Sequence, residues 1–168
     1  MTAGASVSIR YDAESNYVAL VEQRLLLFTR TRPLTKASLD SAEAAIREQV
    51  AKATATRPVG AFVVLPGDAG LSRHDLLERQ RKMFDRWKAE RTVYSAMVVL
   101  GSSAQCVAMR AVVRLFLIGS PTMQLFSEVE PAARWLSRSI AMPEQTILEA
   151  FRSARSACES AASARSAS

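Results

Sequence analysis

Two short, uninterrupted apolar runs constrain this chain more than any other feature. Val59 to Leu65 and Val93 to Leu100 are rich in β-branched residues and lack an alternating polar face, which is the pattern of strands covered on both sides. Between them lies a segment of different period. Leu76, Leu77, Met83, Phe84 and Trp87 fall on one helical stripe, with Arg79, Lys82, Arg86 and Lys88 largely away from it. Interior strands joined through amphipathic helices need crossover connections, so the sequence predicts an α/β layer on a mainly parallel sheet.

The flanking segments extend the pattern. Val7 to Ala13 and Tyr17 to Thr31 read as N-terminal strands, with Asp12 to Asn16 as the turn between them and Arg24 at a bend in the second. Pro33 stops that strand, and Thr35 or Ser38 caps a helix carrying Leu39, Ala42, Ile46 and Val50 to about Ala53. Ser72, with Asp75 in the capping-box place, opens the next helix, expected to reach Arg91. A third helix is expected over Ala104 to Ile118, ended by Gly119 in the left-handed conformation and by Pro121. Met123 to Phe126 follows as a short strand. Glu128, Glu130 and Pro131 suit the start of a fourth helix, and Pro143 restarts a terminal helix with Ile147, Leu148 and Phe151. Beyond Arg152 the chain is Ala, Ser and Arg in near-repetition, with fraying expected after about Cys158. The expected architecture is a sheet of about five strands with an antiparallel N-terminal member. The α/β domain covers 1–142, and a C-terminal helix with an Ala/Ser/Arg-rich tail covers 143–168.

Composition narrows the functional classes. With 168 residues, 49% of them hydrophobic, the chain suits one packed core. Cys106 and Cys158 are far apart and make neither a disulfide framework nor a zinc ribbon, which fits a reducing cytoplasm. Met1 to Asp12 has no basic leader or apolar stretch, so export is not expected. The uncharged stretch Thr92 to Met109 is interrupted by Gly101, Ser102, Ser103 and Gln105, which argues against a transmembrane span. A net charge of +6 raises the question of nucleic acid, but the densest basic segment, Arg73 to Arg91, interleaves both signs in the manner of a solvated helix face. His74 is the only histidine, and no partner at catalytic or metal-ligand spacing accompanies it. Gly67 and Gly70 match neither a dinucleotide fingerprint nor a phosphate-binding loop. No enzyme activity, metal or cofactor is expected.

The third helix is the exception to an ordinary pattern. Its only charges are Arg110 and Arg114, four apart, and almost everything else from Cys106 to Ile118 is apolar or small. Such a helix needs cover on more than one side. Either another molecule supplies it, or the chain's own terminal helix does.

Three segments resemble the STAS domain, and especially its SpoIIAA-like branch. Val63-Val64-Leu65 followed by Gly67-Asp68-Ala69-Gly70-Leu71 is similar to the family's strand-to-helix loop ending in Asp-Ser-Ser-Gly-Leu. Met97 to Ser103 running into Val107 to Gly119 is similar to its strand, small-residue loop and apolar third helix. Met123-Gln124-Leu125-Phe126-Ser127-Glu128 leading to Ala132-Ala133-Arg134-Trp135-Leu136 matches the branch's Phe-tipped strand, acidic cap and Ala-x-x-Trp-Leu. The resemblance covers most of residues 7 to 140. It implies a bacterial signalling module whose loop serine is phosphorylated by a partner kinase.

The chain departs from the family at that loop. The resemblance places Asp68 at the phosphorylated position, a fixed negative charge at a helix start, and leaves Ser72 as the alternative acceptor. Capping and turn chemistry are the simpler reading of both residues and are favoured over regulation.

The expected function is non-catalytic regulation or scaffolding. The chain binds a protein partner, kinase-like or scaffold, or itself as a homo-oligomer, through Asp68, Ser72, Val107, Arg110, Ala111, Arg114, Leu115 and Ile118. The alternative is a small-molecule or lipid binder with a pocket under the third helix.

Overall fold

The computed structural model describes residues 7–11, 16–21, 24–30, 35–67 and 74–166. In chain order the elements are β1 (Val7–Tyr11), β2 (Asn16–Val21), β3 (Leu25–Arg30), α1 (Lys36–Val50), β4 (Val59–Pro66), α2 (His74–Ala89), β5 (Val93–Leu100), α3 (Ala104–Leu117), β6 (Met123–Phe126), α4 (Val129–Ile140) and α5 (Glu144–Ser166). The strands form one six-stranded sheet in chain order, β1 to β6. β3, β4, β5 and β6 are parallel to one another, and β2 runs antiparallel to both β1 and β3.

One expectation is corrected here. Tyr17 to Thr31 is not a single bent strand but two paired strands, β2 and β3, whose register sets Val21 against Leu25. Residues 22–24 between them are Glu, Gln and Arg, so the reversal lacks the Gly, Asn or Pro that advertises a tight turn. Arg24 holds its end. Its guanidinium donates to the carbonyl of Ile140 at the C-terminus of α4, and its own carbonyl accepts from Gly60 N at 2.8 Å. The sheet therefore has six strands where about five were expected.

Layering follows from handedness. Right-handed crossovers between neighbouring parallel strands, repeated in one direction, deliver every connecting helix to the same face. Leu39 and Ile46 of α1, Leu76, Met83 and Phe84 of α2, and Met109, Val113 and Leu117 of α3 pack on Leu26, Phe28, Ala61, Val63, Leu65, Met97 and Val99. The alternate residues point the other way. Leu25, Leu27, Phe62, Val64, Ala96 and Val98 meet Ala133, Leu136 and Ile140 of α4 and Ile147, Leu148, Phe151 and Ala154 of α5. Covering both faces is why the β4 and β5 sequences are continuously apolar.

The helix ends obey local chemistry. Thr35, not Ser38, caps α1, its Oγ1 accepting from Ser38 N at 3.2 Å. Gly119 takes a φ of +76°, as its place after α3 requires. Below Pro143, α5 is part of the core through Ile147, Phe151 and Ala154, with the Phe151 ring edge-on to Phe62 at 6.1 Å. The helix continues to Ser166, beyond the fraying point expected near Cys158, whereas described packing against the core ends at Ala157.

Candidate functional site: the outer face of α3

Ser103 starts α3, its Oγ accepting from Cys106 N at 3.3 Å. The next turns divide cleanly. Cys106, Met109, Val113 and Leu117 are buried against the sheet, and Phe116 stacks on Phe84 of α2 with ring centroids 6.0 Å apart. Val107, Leu115 and Ile118 keep 58%, 66% and 66% of their surface exposed, and among the described residues they are the large hydrophobics left in water. Ala104, Ala108, Ala111 and Arg114 are exposed as well.

At about 100° of rotation per residue, Val107, Ile118, Ala111, Ala104, Leu115 and Ala108 occupy a single arc about 100° wide. No charge lies inside it. Arg114 borders the arc on the side away from Phe116 and α2. Isolated exposed apolar residues are ordinary; here three large ones and three alanines are contiguous on one helix face. The terminal helix does not cover it, because α5 packs on the opposite face of the sheet.

The structure separates the two arginines. Arg110 is half-buried; its Nε and Nη2 donate to Val99 O at 3.2 and 2.9 Å, and Nη2 also donates to Gly101 O. β6 stops at Phe126, opposite Val98, so the guanidinium supplies donors just past the end of the ladder. Arg110 therefore holds α3 to β5. Arg114 is exposed, and its guanidinium has no carboxylate partner among the described residues.

Asp68 and Ser72 lie outside the described residues. The end of β4 just before them and the start of α3 frame a crevice of ≈ 440 Å³, lined among the described residues by Pro66, Gly67, Leu100, Gly101, Ser102, Ser103 and Cys106. Gly67 is sterically required there: a Cβ would come within 1.9 Å of Cys106 Sγ and 2.6 Å of Leu100 O. The buried Cys106 thiol, 3.0 Å from Ser103 Oγ, serves as a small packing group at this junction.

Other features are internal. Arg79 ties α2 to α1 through Asp40 at 2.5 Å and Glu43 at 2.7 Å, and its hydrogen bonds to Glu43 first and Asp40 second raise its pKa above the ordinary value. Burial pulls Arg30 down to about 10. Under α1 and α2 lies an apolar cavity of ≈ 40 Å³ lined by Leu26, Leu39, Val63, Phe84 and Met97, among others. Among the described residues no cluster of three or more His, Cys, Asp or Glu could hold a metal, and no helix is long and apolar enough to cross a membrane.

Comparison with protein-family models, curated proteins and solved structures found no match to this chain. Of the α3 residues expected to bind a partner, Val107, Ala111, Arg114, Leu115 and Ile118 lie together on the outer face, whereas Arg110 is turned to the carbonyls of Val99 and Gly101. Ala104 and Ala108 complete the arc and were missed, although the same helical spacing contained them.

Proposed function

We propose that the chain is a non-catalytic regulatory or scaffolding module of the STAS-like kind, working in the bacterial cytoplasm by docking a protein, another chain or its own copy, on α3. The observation that carries this reading is the uncharged, exposed arc of Val107, Ala111, Leu115 and Ile118 on a helix whose other side is locked to the sheet. Full burial of a Val, Leu or Ile side chain is worth about 1.5–3 kcal/mol, so three of them can anchor a small interface. Four parallel strands, β3 to β6, each followed by a helix, support the resemblance to the STAS fold. Ser72 as a phosphate acceptor and Asp68 as fixed charge belong to the same reading, in the segment linking β4 to α2.

The alternative of a lipid pocket under α3 has weaker support. Cys106, Met109, Val113 and Leu117 occupy that space, and the ≈ 40 Å³ cavity under α1 and α2 is far below the ~300–1,000 Å³ of drug-sized ligand sites.

The test is association measured by light scattering after size exclusion, with and without lysate-derived partners, for the wild type and a Leu115→Asp/Ile118→Asp variant. Docking through α3 gives assemblies that the variant does not form. Assemblies of equal size and yield from both proteins overturn the reading.

A further inference from the structure

We infer that the occupant of the α3 arc is an amphipathic helix whose apolar stripe is flanked by carboxylates, presented by a different protein. The inference rests on the docking reading above and specifies its partner. Shape comes first. α3 has 14 residues, so its arc is about 21 Å long and one helix wide, well short of the ~800 Å² per partner of a standard interface between folded surfaces. It suits a single helix. Ala104, Ala108 and Ala111 leave a shallow track beside Val107, Leu115 and Ile118, in which the large side chains of a docked helix can seat as ridges in a groove.

Charge chooses among helices. From Arg91 to Ser127 the chain contains no Asp or Glu, so the charges that β5, α3 and β6 carry are Arg110 and Arg114 alone. Arg110 is held by the Val99 and Gly101 carbonyls, which leaves Arg114 as the cation bordering the arc, without a carboxylate of its own among the described residues. A second copy docked on α3 brings another Arg114 to the same small surface and no α3 acid to meet it. An acidic rim on the incoming helix supplies the missing partner and is favoured further by the net charge of +6.

The experiment uses the full chain and two synthetic helical peptides with an identical Leu/Ala stripe, one flanked by Glu and the other by Lys. Binding is followed by fluorescence anisotropy at low and high salt, with circular dichroism confirming that each variant is folded. The Glu peptide is expected to bind about tenfold more tightly than the Lys peptide, with the advantage shrinking in salt. Arg114→Glu should remove most of the preference, Arg152→Glu at an exposed position of α5 should leave it, and Leu115→Asp should abolish binding of both. Equal affinity for the two peptides, or a preference indifferent to Arg114→Glu, overturns the inference. So does a homodimer broken by Leu115→Asp, or anionic vesicle binding lost in that variant. The dimer leaves the docking reading standing; absence of every association removes both.

Discussion

Arg110 and Arg114 lie one turn apart on α3, yet among the described residues only the first has a partner in its own chain. Arg110→Met removes the donors to Val99 O and Gly101 O and is expected to lower the free energy of unfolding by about 1–3 kcal/mol in urea titrations. Arg114→Met should change it by no more than about 0.5 kcal/mol, as for other exposed sites. Equal effects would show that the carbonyl contacts of Arg110 contribute nothing. Gly67 offers a second contrast. Gly67→Ala drives a methyl into Cys106 Sγ and Leu100 O, and a loss of about 1–3 kcal/mol is expected. Adding Cys106→Ala relieves the first clash and not the second, so thermal unfolding of the double variant should show partial recovery only.

Among the elements, α5 is the one whose importance the composition of the C-terminal region conceals. Phe151→Ala empties a site packed edge-on against Phe62 and should cost about 3–5 kcal/mol by chemical denaturation, the range for large core aromatics. A loss under 1 kcal/mol would mean that the helix only rests on the sheet. The interior strands β4 and β5 were legible from sequence because burial on both faces writes itself as a continuous apolar run. The turn between β2 and β3 was not, since Glu22, Gln23 and Arg24 can equally belong to an exposed stretch of strand, and the tie from Arg24 to Ile140 spans most of the chain. On α3 the apolar excess was legible, including five of the residues now on the outer face. The role of Arg110 was hidden because it depends on β6 ending opposite Val98, a register between distant segments.

For the whole molecule, an apolar stripe on a cationic protein predicts salt-sensitive colloidal behaviour. In rising ammonium sulfate, which screens the net charge of +6 and strengthens apolar burial, wild type should scatter light at a lower salt concentration than the Leu115→Asp/Ile118→Asp variant. Coincident curves would show that the stripe does not govern self-attraction. The order of the sheet carries a consequence for biogenesis. Leu25, Leu27, Phe62 and Val64 are made well before α4 and α5, which cover them. At ~5–20 residues per second, a ribosome leaves that side of the nascent sheet naked for on the order of ten seconds. Newly made chains thus expose an apolar face until α4 and α5 emerge, and chains cut before Val129 are expected to aggregate where the full chain folds, as pelleting after translation in vitro would show.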